Sequence, residues 1–124
     1  MTKTKVIGII SWLPDNETRA IRQKKLETLL VRCDAVFKLP IMIIAQNWDN
    51  TVKTTASCVV FNFDKLGITG ARKKLREKFL ESNYDYLIML DDDCELIGSR
   101  MDGIKYLEQI DYNNRSVGIF KGTL

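Results

Sequence analysis

Short apolar runs alternate along this chain with longer segments whose apolar residues recur every three or four positions. Val6 to Ser11 is nearly continuous in apolar residues, as expected of a central parallel strand buried on both faces. Trp12 to Asn16 reads as the loop at its carboxyl end. From Asn16 or Glu17 to about Arg32, the spacing of Ile21, Leu26, Leu29, Leu30 and Cys33 predicts a helix with mostly one apolar face. Arg19, Arg22, Lys24, Lys25 and Arg32 are read as its solvated side. Ile41 to Ala45 makes a second strand, with Gln46 to Asn50 as the polar loop at its end. Cys58 to Phe63 is a third strand, closed by Asp64 to Gly67. A second helix is predicted over Thr69 to Ser82, with Leu75, Phe79 and Leu80 inward. Arg72, Lys73, Lys74, Arg76 and Lys78 make its first half basic. Leu87 to Leu90 is a fourth, buried strand. Arg100 to Ile110 spaces Met101, Ile104, Leu107 and Ile110 for one helical face, and Val117 to Phe120 reads as a last strand.

Strands alternating with helices argue for an α/β fold, a mostly parallel sheet flanked by helices and Rossmann-like in plan. The 124 residues suffice for one core, and no repeat, low-complexity segment or linker divides them. Residues 1–124 are therefore expected to form a single domain. The net charge of +3 is mild and gives no reason to expect a nucleic-acid partner. The longest apolar run, Leu39 to Ala45, is far too short to span a bilayer. Met1 to Lys5 lead straight into a strand without the apolar core of a signal peptide, so a cytoplasmic chain is expected. Cys33, Cys58 and Cys94 are far apart and odd in number, which argues against a zinc site or a disulfide framework. The lack of histidine excludes a Ser-His-Asp or Cys-His unit within this chain.

Candidate chemistry concentrates where the fourth strand ends, because Leu87-Ile88-Met89-Leu90 runs directly into Asp91-Asp92-Asp93. Adjacent carboxylates repel, so they cost stability unless they are solvated or bridged by a cation. All-oxygen ligands suit Mg²⁺ or Mn²⁺, and such an ion would in turn hold phosphate oxygens. The plainer alternative is a solvated turn or a helix cap. In a parallel α/β sheet, ligands sit outside the carboxyl ends of the strands. That edge gathers Ser11 and Trp12, Gln46 to Asp49, Asp64 and Lys65, and Asp91 to Asp93. It offers an aromatic ring for a base, polar groups for a base edge or ribose, and carboxylates for a metal. The start of the second helix, Leu66 to Arg72, arrives on the same edge, where its free N–H groups favour an anion. Arg72 could pair with a phosphate or clamp a base carbonyl. Each element has a bland reading alone: turn glycines at Gly67 and Gly70, rim aromatics at Trp12 and Trp48, a basic helix face at Arg72. Their convergence on one edge favours a site.

Two segments carry a family resemblance. Leu66-Gly67-Ile68-Thr69-Gly70-Ala71-Arg72-Lys73 is similar to a Gly-x-x-x-Ala-Arg-Asn helix start, and Tyr84 to Asp93 to a Tyr-Asp-Tyr-Leu-x-x-Leu-Asp-x-Asp strand. Together they resemble the nucleotide-sugar-binding half of GT-A-fold glycosyltransferases of the family 2 type. Ser11-Trp12-Leu13 stands where that family has a Thr-Tyr-Asn-like turn. The resemblance implies a glycosyltransferase that moves a sugar from a nucleoside-diphosphate donor, a UDP-sugar foremost, to a glycan or lipid-linked acceptor. It implies that Asp93 and Asp91 hold Mn²⁺ or Mg²⁺ through a DXD motif, with Asp91 also near the ribose and Asp92 sharing either task. It implies Arg72 on the base or diphosphate, Ser11 and Trp12 beside the base, and Asn47 or Asp49 at the base edge. Lys73 departs from the usual Asn, and Gln46 to Asp49 departs from the common Asp-x-x-Ser-x-Asp turn.

The chain is short for a whole GT-A domain, so an incomplete catalytic domain or a small binding relative is expected, with no catalytic base named. A half-domain would expose a sheet edge, which makes self-association an expectation, and a basic helix face leaves room for peripheral membrane contact. Two alternatives are a nucleotidyltransferase and a nucleotide- or metal-binding α/β module without turnover. Trp12-Leu13-Pro14 is a poor phosphate cradle for the former.

Overall fold

The apolar runs form the strands of a parallel sheet. A computed structural model describes residues 4–113 and 119–120 of the chain, with side chains over 4–109. In chain order the elements are β1 (Lys5–Trp12), α1 (Arg19–Val36), β2 (Ile41–Gln46), β3 (Cys58–Phe63), α2 (Gly67–Glu81), β4 (Tyr86–Asp91), α3 (Arg100–Asn113) and β5 (Ile119–Phe120). The sheet order is β3-β2-β1-β4-β5, and every pairing is parallel. The architecture is α/β and Rossmann-like. Val117 and Gly118, expected in the last strand, lie outside the described residues.

β1 and β2 are central and buried on both faces, which is why they read as continuous apolar runs. Alternation decides which helix each residue meets. Ile7, Ile9, Ile41 and Ile43 face Leu26, Leu29, Leu30 and Cys33 of α1, with Tyr106 and Leu107 of α3 packed alongside. Val6, Met42, Ile44 and Leu87 face Ala71 and Leu75 of α2 on the other side. Each fully buried Ile or Leu contributes roughly 1.5–3 kcal/mol relative to exposure. Cys33 is fully buried in the first layer, and burial, with Asp34 adding to it, pushes its thiol up to about 12.

Three residues expected inward are exposed: Ile21 (63%), Leu80 (68%) and Met101 (58%). The buried stripe of α1 runs through Leu26, Leu29, Leu30 and Cys33. Followed back in steps of four and three, it reaches Arg22 and Arg19, so Ile21 falls to the side. Leu80 likewise sits beside the line of Ala71 and Leu75, and Met101 beside that of Gly103, Tyr106 and Leu107.

α1 ends at Val36, beyond the expected Arg32, because its carbonyls find a partner there. Arg100, the first residue of α3, donates to the carbonyls of Val36 and Phe37, each at 2.9 Å. Gly103, one turn on, lies against the Val36 carbonyl so closely that a Cβ would overlap it. Arg32 in turn donates to the carbonyls of Leu96 (3.0 Å) and Gly98 (2.5 Å) and pins the loop after β4. Among the described residues no helix is long and apolar enough to cross a membrane.

Candidate functional site

The chain leaves β1 toward β2 and β3 on one side and places β4 on the other, so the strand order switches beside β1. Ligands of open α/β sheets sit in the crevice outside such a point. A cavity of about 580 Å³ opens there, within the usual size range of a small-molecule site. Ile10 and Trp12 from β1 and Gln46 from β2 line it, as do Asp91 to Asp93 at the end of β4. Lys65, Gly67, Ile68 and Arg72 contribute from the turn before α2 and its first two turns, and Arg22 from α1.

The helix start is set by two local features. Gln46 accepts the Leu66 N–H on Oε1 at 2.8 Å, which anchors the turn to the end of β2. Gly67 then takes a φ of 72°, a left-handed conformation that glycine adopts without strain. No atom lies near the place a Cβ would occupy, so conformation and not crowding demands the glycine. α2 thus begins at Gly67, two residues before the expected Thr69, and its first N–H groups lie beside the cavity.

The aspartates divide into two roles. Asp92 faces Arg22 at 3.5 Å, with Ser11 and the Trp12 N–H near its carboxyl. Burial pushes its carboxyl above the usual carboxylate range, and Arg22 partly opposes that rise. Ser11 Oγ accepts from Trp48 Nε1 at 3.0 Å. This bond ties the loop after β2 to the end of β1, and the Arg22–Asp92 pair ties α1 to the turn after β4. Asp91 and Asp93 remain on the cavity wall, Asp93 exposed.

Among the described residues, no group of three or more Asp, Glu, Cys or His side chains is gathered to hold a metal ion. Mg²⁺ habitually takes one or two carboxylates and completes its shell with phosphate oxygens and water. Asp91 and Asp93 do not form a protein cage by themselves.

Of the residues expected to bind the donor, Trp12, Arg72, Asp91 and Asp92 are brought together at the cavity, with Asp93 beside them. Ser11, Asn47 and Asp49 are not. Ser11 is fully buried, and its hydroxyl accepts from Trp48. Asn47, at a φ of 60°, donates from Nδ2 to the Leu13 carbonyl at 2.7 Å, and its own carbonyl accepts from Arg19 at 2.9 Å. Asp49 closes a turn onto the Thr51 N–H and hydroxyl, and these bonds, with Arg19 beside it, hold its carboxyl below the usual range. These three shape the rim from behind.

Arg22 is the residue that the sequence reading put on the solvated side of α1. The signal was present: Arg22 sits four residues before Leu26 on the buried stripe, and the first turns of α1 start from the carboxyl edge of the sheet. Its guanidinium lies 5.7 Å from the centre of the Trp12 ring, and the Lys65 ammonium lies 5.4 Å from it. Trp12 as a whole is about one-third exposed. Comparison with known proteins adds no relative, since no family model, curated protein or solved structure matches this chain.

Proposed function

We propose that this chain binds a nucleoside-diphosphate sugar at the carboxyl edge of its sheet, as the donor-binding half of a GT-A-type glycosyltransferase. The sugar would pass to a glycan or lipid-linked acceptor. The observation that carries this reading is the convergence of Trp12, Arg72, the start of α2 and the carboxylates of Asp91 and Asp93 on one cavity. In it, Trp12 receives the base, and Arg72 meets the base or the diphosphate. The N–H groups at the start of α2 favour the diphosphate charge. Asp91 and Asp93 would hold Mn²⁺ or Mg²⁺, which when bound supplies electrostatic stabilisation of the departing diphosphate. Asp92 is a positioning residue, paired with Arg22 beside the Trp12 ring. A cytoplasmic setting belongs to the same proposal, as does self-association, for which the open outer edge of β3 with its exposed Val59 gives room.

One observation favours a second reading, a nucleotide-binding module without turnover. Among the described residues, no carboxylate besides Asp91, Asp92 and Asp93 lines the cavity. With those three occupied as above, none is left to deprotonate an acceptor hydroxyl.

Calorimetric titration of UDP, GDP and their sugar conjugates, with and without Mn²⁺, tests the proposal on the wild type and Asp93→Ala. Mn²⁺-dependent binding of one nucleotide is expected, weakened by at least about tenfold in the variant through loss of a metal-facing carboxylate. If no nucleotide binds under either condition, the donor-site reading fails. Binding indifferent to Mn²⁺ and to Asp93→Ala would remove the metal from it.

A further inference from the structure

We propose that Lys65 couples base binding to phosphate binding: its ammonium covers the Trp12 ring and leaves it for a diphosphate. The inference rests on the nucleotide reading above and deepens it, because it selects phosphorylated nucleosides over free ones. Two cations lie against Trp12, both within the range of a cation–π contact. They differ in what else holds them. Arg22 is paired with Asp92 at 3.5 Å. Lys65 is exposed, stands on the turn between β3 and α2, and forms no ion pair among the described residues.

Lys65 is also two residues before Gly67, where the anion-favouring start of α2 meets the cavity. A flexible four-carbon stem lets its ammonium move between ring and phosphate. The exchange is favourable, since a charge-assisted bond to a phosphate oxygen is stronger than an exposed cation–π contact. Once Lys65 has moved, the ring face it covered is open to a base. A free nucleoside carries no charge to draw the lysine away and meets a covered ring.

The test compares uridine with UDP, and guanosine with GDP, in Mn²⁺ on the wild type and Lys65→Ala. Diphosphate affinity is expected to fall about tenfold with the loss of one charge-assisted bond. Nucleoside affinity is expected to rise about threefold as one cation–π contact is removed from the ring. A fall for the diphosphate with no gain for the nucleoside would overturn the proposal, leaving Lys65 a phosphate ligand only. Unchanged affinities for both would overturn it as well. Acrylamide quenching of Trp12, with Trp12→Phe to subtract Trp48, keeps the test decisive where nucleosides bind too weakly to titrate. Stronger quenching in Lys65→Ala supports the covering role, and equal quenching overturns it. A wild type that binds neither diphosphate defeats the nucleotide reading, an outcome separate from any effect of Lys65.

Discussion

Gly103→Ala is expected to destabilise the chain by about 2 kcal/mol, and Gly103→Val by more, because the added carbon overlaps a backbone carbonyl. Helix propensity pulls the other way, since alanine in a helix interior is better than glycine by about 1 kcal/mol. Steric overlap wins because the Val36 carbonyl cannot rotate aside. It is the end of α1, and it already accepts from Arg100 at 2.9 Å. The two helices must separate, loosening Tyr106 and Leu107 from the core layer they share with α1. Gly8 provides the contrast. A Cβ there would come within 2.6 Å of Leu87 Cδ1 and 2.8 Å of Leu75 Cδ2, but these are the ends of side chains that can shift. Gly8→Ala should therefore cost less than Gly103→Ala. Urea unfolding of both variants checks the order. Equal stability of Gly103→Ala and wild type would contradict the close approach of α1 and α3.

Arg22→Ala is expected to cost about 1–2 kcal/mol near neutral pH, below the value for a fully buried pair because Arg22 is partly exposed. Its pH dependence identifies the cause. Asp92 already has a folded pKa above its unfolded value, with burial the main cause and Asp93 adding to it. More protons are then bound in the folded state than in the unfolded state between the two pKa values. Stability from this group is present below the unfolded pKa and is lost as pH rises through the folded one. Removing Arg22 takes away the charge that restrains the shift, so the decline becomes larger and extends to higher pH. Asp92→Asn in the Arg22→Ala background abolishes the added decline, since the amide does not titrate. Unfolding curves from about pH 4 to pH 8, above the ordinary aspartate range at the upper end, measure the difference between variants. Parallel profiles for wild type and Arg22→Ala would show that the pair does not hold Asp92.

The strands were legible in the sequence because a doubly buried strand has no polar face to interrupt it, as in Val6 to Ile10 and Ile41 to Ala45. The carboxyl edge was legible for the same reason, since strand direction alone decides which loops gather there. Side-chain direction within those loops was not. Ser11, Asn47 and Asp49 all lie on the correct edge, but Trp48, Leu13, Thr51 and Arg19 take up their hydrogen-bonding groups. Charge was the other source of misreading. An arginine on a basic helix looks solvated until its position is traced along the buried stripe, and Arg22 and Arg19 both extend the line of Leu26 and Leu29. The three aspartates posed the reverse problem. Their adjacency suggested one shared cation, whereas β4 ends at Asp91 and the chain turns through Asp92 and Asp93, so that Asp92 meets Arg22 while Asp93 stays exposed.

The buried thiol of Cys33 gives the fold a chemical timer. Thiol reagents attack the thiolate and must touch the sulfur. Complete burial beneath α1 and a thiol pushed up to about 12 withhold both conditions from the native state. Modification of Cys33 then proceeds through the moments when α1 lifts from β1 and β2, and its rate counts those openings. The half-buried Cys58 on the edge strand is under no such restraint from complete burial. The pair of rates separates events at the margin of the sheet from the release of its longest helix.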